Sequence, residues 1–349
     1  MNINDLELFL VEIKRSEATS PLRSLLVRLA TDEGLSGWGE AAVDFRSDEI
    51  SERRALLLSV IAGRSIFDIE DLLLCDALSD SRLRCAVEMA FWDLLGRATG
   101  QPICHLLGGG FRRRIPVAVR LPEGKPHAVA RIAGELAEQG FHSQIVTATG
   151  NFSHDLEMFR AVSQSAGDRA ELRFDGAERF EVDDARQLCG ELENQRLQFL
   201  IDPLREGSLE DTVGLGRETS VPLAAWRAVS CAADVLALSR LNSIAAVIVD
   251  PRNVGGITAA RKCAAVAEAA GTCVLCGGSP ASGVGTAAML QLAAATPAFS
   301  SANESAYHQL HDDILAGSIE IIDGMSAVPQ GPGLGVEVER AKVEKYQLS

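Results

Sequence analysis

The stretch 245–285 restricts what this chain can fold into more than any other. AAVIVD (Ala245–Asp250) is an apolar run that ends on a carboxylate, and PRNVGG breaks it. ITAARKCAAVAEAAG (Ile257–Gly271) has helical spacing and a glycine stop, TCVLC (Thr272–Cys276) is a second apolar run, and GGSPASGVG opens another helix. Short continuous apolar runs separated by amphipathic helices are the pattern of parallel strands buried on both faces. Loops at the carboxyl ends of such strands are where α/β barrels place their chemistry.

The alternation begins at Ile115. Strands are predicted at IPVAVRL (115–121), HSQIVTA (142–148), ELRFD (171–175), LQFLI (197–201), VPLAA (221–225), AAVIV (245–249) and TCVLC (272–276), with an eighth near Pro297–Ser300. Eight β/α units in about 200 residues specify a (β/α)8 barrel. A doubly wound open sheet is the alternative, but RLPEGKP after the first strand matches its GxGxxG loop poorly. Upstream, residues 5–40 alternate like strands, and SLLVRLATDEGLSGWGE reads as a hairpin turning at Asp32-Glu33-Gly34. Residues 47–108 read as helical. The longest helix runs from Ser81 to Thr99, with Leu83, Val87, Ala90, Phe91 and Leu94 on one face and Gly100-Gln101-Pro102 as its stop. The expected plan is an α+β capping domain over 1–114, the barrel over 115–320, and a segment 321–349 returning to the cap.

Composition limits the partners. A formal charge of −15 argues against nucleic acid and against an anionic membrane surface. MNINDLELFLVEIKRSE has acids inside its apolar stretch and no basic leader, so it does not read as a signal peptide. No run approaches the roughly 20 apolar residues of a membrane helix. Eight cysteines at apolar positions read as reduced core residues of a cytoplasmic protein. His308 and His311 sit in a polar segment and are expected to be solvated. A homo-oligomer is compatible with all of this.

GLSGWGEA, AFWDLLGRATGQPICHLLGG, VGGITAARKCAAVAEAAG, SGVGTAA and VPQGPGLGVEV resemble the muconate-lactonizing and mandelate-racemase-like branch of the enolase superfamily. The resemblance spans essentially the whole chain and implies a cap built from both termini over a barrel with its active site at the mouth. It also implies abstraction of a proton alpha to a carboxylate, with Mg²⁺ stabilising the enediolate. Family members include cycloisomerases, o-succinylbenzoate synthases, dipeptide epimerases and amino-acid racemases. So weak a carbon acid needs a cation on the developing oxyanion and a base tuned near neutral pH. In the family, two lysines spaced K-x-K end strand two, acids ending strands three, four and five hold the metal, and a lysine ends strand six.

At the matching positions this chain departs from that pattern. Ile145 and Thr147 stand for the two lysines, and Asp175 keeps the first metal position with Ala177 two residues on. Ile201 takes the second metal position with Asp202 one step later, and Trp226 takes the third with Arg227 beside it. Asp250 replaces the strand-six lysine, and Ala281 replaces an acid after strand seven. Strand alternation predicts that Asp202 points away from the direction of Ile201. The candidate catalytic carboxylates are therefore Asp250 and Asp175, with Asp175 also the remnant metal position. The candidate substrate contacts are Thr147, Trp226, Arg227, Ser279 and Ser282. Arg227 is expected to reach inward and pair with Asp175 or Asp250 near the place of the metal, while Trp226 narrows the pocket. No cofactor is expected, and Mg²⁺ only if the family chemistry survives. Two functional classes follow. One is a homologue inactive in the family reaction with a binding role, a small carboxylate being the ligand. The other is a divergent racemase, cycloisomerase or lyase with a relocated or metal-free site.

Overall fold

A computed structural model describes residues 1–15, 20–42, 45–205, 209–277 and 280–348. Three strands, β1 (Ile3–Ile13), β2 (Leu22–Thr31) and β3 (Ser36–Ala41), form an antiparallel sheet in that order. The helix Ser81–Thr99 covers it. That helix starts where the Asp80 carboxylate accepts the Arg82 and Leu83 amides at 2.9 and 3.1 Å, and it stops at Gly100 with φ 66°. It lies so close to β3 that a Cβ on Gly39 would fall 1.9 Å from the Ala86 carbonyl oxygen, so only glycine fits there.

The barrel strands are β4 (Arg114–Arg120), β5 (Ser143–Thr147), β6 (Glu171–Asp175), β7 (Leu197–Ile201), β8 (Leu223–Ala225), β9 (Ala246–Val249) and β10 (Cys273–Cys276). They pair in parallel in chain order. The eighth strand, β11 (Asn303–Glu304), pairs with β4, and its Asn303 Oδ1 accepts the Cys276 amide of β10 at 3.1 Å. The architecture is a (β/α)8 barrel with an α+β cap. The eighth strand lies a few residues beyond the expected Pro297–Ser300. Both of its residues are polar and buried, so no apolar run announces it.

The tail differs from expectation too. Asp323 and Gly324, with φ of 52° and 64°, turn a tight hairpin between β12 (Ile321–Ile322) and β13 (Met325–Ala327). A two-residue Asp-Gly turn with both φ positive matches the twist of paired strands. β13 pairs antiparallel with β4, so 321–327 extends the barrel sheet instead of returning to the cap. The return begins at Gly333 and Leu334, where the Leu334 amide bonds the Asp93 carboxylate at 2.8 Å, and it runs on past the helix Arg340–Tyr346 to the Leu348 amide on the Leu10 carbonyl at 2.8 Å.

Buried carboxylates of the cap dock it onto the barrel. Glu40 of β3 accepts the Ser282 amide, the Ser282 hydroxyl and the Gly285 amide at 2.8, 2.6 and 2.7 Å, at the start of the helix Gly283–Ala295. Glu88 accepts the Ile257 and Thr258 amides at 2.6 and 2.8 Å, at the start of the helix Ile257–Ala269. The first amides of a helix lack intrahelical partners and favour negative charge, so each carboxylate satisfies groups that burial would otherwise orphan. No described helix is long and apolar enough to cross a membrane.

His311 is exposed as expected, but His308 is not solvated. Its ring packs on Phe141 with centroids 5.7 Å apart, and its buried Nδ1 has no protein partner among the described residues. Burial pulls its pKa down to about 4. A histidine whose folded pKa is depressed favours the neutral form in the fold. Its contribution is complete above the unfolded value of ~6.5 and is lost as pH falls from there toward 4. Urea unfolding of the wild type should therefore lose about 2 kcal/mol more than His308→Leu across that window, the residual exposure of the ring tempering the full linkage. Parallel pH profiles for the two proteins would show that the ring titrates as in water.

Candidate functional site at the barrel mouth

Strand register brings the site together. Thr147, Asp175 and Ile201 are the last residues of β5, β6 and β7 and stand directly beside one another. Asp175 is 1% exposed. Each of its oxygens already accepts two hydrogen bonds. Oδ1 takes Arg227 Nη1 and the Ala177 amide, both at 2.9 Å, and Oδ2 takes Arg120 Nη1 at 2.8 Å and Arg227 Nη2 at 3.1 Å. Burial alone would push this carboxyl up, but Arg120 and Arg227 outweigh it and hold the pKa below the ordinary value.

Arg227 lies just past β8 and grips Asp175 bidentately. The same Nη1 reaches Asp202 Oδ2 at 3.0 Å. Asp202 therefore turns into the mouth, contrary to the direction expected from strand alternation. The reason is that β7 ends at Ile201 and Asp202 has φ 38°, so the period-two rule no longer applies to it. Its carboxylate also accepts the Trp226 and Arg227 amides at 3.0 and 2.9 Å. Burial raises its pKa against those bonds. Trp226 packs with Phe199, Ile201, Ile248 and Leu275 inside the barrel, and the Arg227 guanidinium stacks 4.5 Å from its ring centroid.

Arg120, at the end of β4, is a site residue that sequence reasoning missed. It joins Asp175 to Glu304 of β11 at 2.7 Å and also donates to the Thr147 hydroxyl. A charged residue closing the apolar run IPVAVRL was the available signal. Asp250 belongs elsewhere. Arg252, two residues on, holds it through Nε at 2.9 Å and Nη2 at 3.1 Å, and both are buried in a small cavity of about 50 Å³ with Glu40 and Cys85. Asp250 and Asp175 thus do not converge on one reacting group. Ser282 is spent on Glu40 and is fully buried, so it is not placed to meet a ligand. Ser279 lies outside the described residues.

The open part of the mouth is a pocket of about 280 Å³. Arg120, Thr147, Asp175, Trp226 and Arg227 form its floor, and Arg15, His154 and Arg179 are among the residues at its wall. A Mg²⁺ ion, which the resemblance implies, needs oxygens with free lone pairs in an octahedron. The residues present do not fit it. Asp175 is saturated, Arg227 stands between Asp175 and Asp202, and Ile201 and Trp226 supply no oxygen. Among the described residues no three His, Cys, Asp or Glu side chains converge in a way that could hold an ion.

Comparison with known proteins points to one family. Residues 15–108 match the profile "Mandelate racemase / muconate lactonizing enzyme, N-terminal domain", and residues 128–342 match "Enolase C-terminal domain-like". An N-succinylamino acid racemase of Thermus thermophilus is 29% identical over 93% of this chain and 90% of its own. A chloromuconate cycloisomerase of Cupriavidus pinatubonensis is 29% identical over 99% of both. The crystal structure of a muconate cycloisomerase from Azorhizobium caulinodans superposes with a TM-score of 0.88 at 26% identity, covering 99% of this chain and 98% of the other.

Proposed function

This chain belongs to the mandelate racemase / muconate lactonizing enzyme branch of the enolase superfamily, and from that premise we propose that it is a member without Mg²⁺-assisted proton abstraction, whose mouth binds a small carboxylate. The observation that carries this reading is the state of Asp175, held from two sides by Arg120 and Arg227. Abstraction of an alpha proton requires a base with an available lone pair and a preorganised positive charge at the new oxyanion. The base positions offer Ile145, Thr147 and Asp250. The first two have no basic group, and Asp250 is engaged by Arg252. The relatives include a racemase and cycloisomerases, so their substrates are the ones to try. A carboxylate entering the pocket would find Arg15, Arg179 and His154 at the wall, and guanidinium forks match carboxylates bidentately.

The test is exchange of alpha protons into D₂O from N-succinyl amino acids, together with lactonisation of muconate and chloromuconate, each with and without Mg²⁺. No exchange and no lactone are expected from the purified chain. Mg²⁺-dependent turnover of any of these compounds would sink the proposal.

A further inference from the structure

We infer that Arg227, seconded by Arg120, is the resident cation of this barrel mouth, standing where the family relies on a divalent ion. The inference rests on the proposed loss of Mg²⁺-assisted chemistry and says what replaced the metal. Its basis is one nitrogen. Arg227 Nη1 lies 2.9 Å from Asp175 Oδ1 and 3.0 Å from Asp202 Oδ2, bridging two carboxylates from the ends of neighbouring strands. That bridging is what a cation between two carboxylate ligands does. Nη2 closes the fork on Asp175 Oδ2 at 3.1 Å.

The charge count agrees. Arg227 and Arg120 both contact Asp175, and their two formal positive charges equal that of one divalent ion. A guanidinium cannot be deprotonated in a protein, so this charge is fixed at every working pH. The surroundings hold it in place. The Trp226 ring stacks against Arg227 at 4.5 Å and lies 5.7 Å from Arg120. Asp202 adopts φ 38°, a backbone conformation unusual for a non-glycine residue, and from it the carboxylate meets both the Arg227 amide and its guanidinium. Arg227 Nε makes no hydrogen bond among the described residues, and the side chain is 28% exposed. An anionic ligand would therefore meet a guanidinium edge at this point, with no metal between.

The experiment measures thermal unfolding of the full chain in EDTA, in millimolar Mg²⁺ and in millimolar Mn²⁺, with Mn²⁺ binding followed by electron paramagnetic resonance. The wild type should melt at one temperature in all three and bind no Mn²⁺. Arg227→Ala should melt about 5 °C or more lower, because two buried carboxylates lose their shared partner. Mn²⁺ should then bind this variant and return part of the loss, since two carboxylates and waters suffice for such an ion. Arg227→Gln carries the same expectation should the alanine variant not fold. Arg227→Lys should melt between the two and take up little Mn²⁺, its single ammonium keeping a charge but not the fork. Stabilisation of the wild type by Mg²⁺, or variants without Arg227 that ignore Mn²⁺, would overturn the inference. Neither result would touch the loss of proton abstraction, which fails separately on turnover by the unmodified chain.

Discussion

Asp175→Ala is expected to destabilise the protein by about 3 kcal/mol in urea or guanidinium unfolding. Removing one partner of a buried ion pair typically costs 3–5 kcal/mol, because the other charge stays buried without compensation. Here two guanidiniums lose their carboxylate at once, with Arg120 and Arg227 only 21% and 28% exposed. Each keeps a second anion, Glu304 at 2.7 Å for Arg120 and Asp202 at 3.0 Å for Arg227, which places the loss at the lower end of that range. Asp175→Asn should cost less, since one oxygen still accepts. The pH dependence has a definite sign. The Asp175 carboxyl is held below its ordinary value, so its contribution is present above the unfolded pKa of ~3.9 and lost as pH falls through the lower folded value. The gap between wild type and Asp175→Ala should accordingly be constant near neutrality and narrow only in acid below about pH 4. A loss under about 1 kcal/mol at neutral pH would mean that the pair is screened like a surface salt bridge.

Much of the fold is legible in the sequence because buried parallel strands are apolar runs. Seven of the barrel strands announce themselves in that way, and β11 does not because Asn303 and Glu304 are polar. The hairpin at 321–327 was readable in principle from Asp323-Gly324 between apolar residues, yet its pairing with β4 is a long-range contact that no local pattern carries. The site divides in the same manner. Alignment to a family pattern leads to Asp175, Trp226 and Arg227, since each follows directly from a strand end. The inward turn of Asp202 depends on one positive φ that interrupts the alternation. Arg120 was missed because it pairs with Asp175 across two strand ends, 55 residues away in sequence. Arg252 is only two residues from Asp250, and the Asp-Pro-Arg opening of a helical turn could have suggested it.

Asp250→Lys, the substitution that restores a lysine at the end of β9, should yield no turnover and a weaker fold. The sequence alone argues for the first half, because base and metal positions are altered separately and catalytic groups act as a unit. The structure supplies the second. Asp250 is 1% exposed and meets Arg252 through Nε at 2.9 Å and Nη2 at 3.1 Å, while Arg252 also donates to the Pro280 carbonyl at 3.1 Å. Introducing an ammonium there breaks the pair and sets two cations against each other in a cavity of about 50 Å³. The cost should be about 3–5 kcal/mol, the range for leaving a buried charge unpaired. Glu40 lines the same cavity, but Ser24, Ser282 and Gly285 already donate to it, so it offers little relief. Adding Arg252→Met should recover only the part due to repulsion between the two cations, since the introduced ammonium stays buried without a free carboxylate. Turnover should remain absent even in that double variant, because Asp175 is still bound by Arg120 and Arg227 and Ile201 and Trp226 are unchanged. Urea midpoints and D₂O exchange from N-succinyl amino acids read the two halves independently. Mg²⁺-dependent exchange by Asp250→Lys alone would show that the arginine-held Asp175 yields to a metal after all, and an unchanged midpoint would show that the Asp250–Arg252 pair adds nothing to the fold.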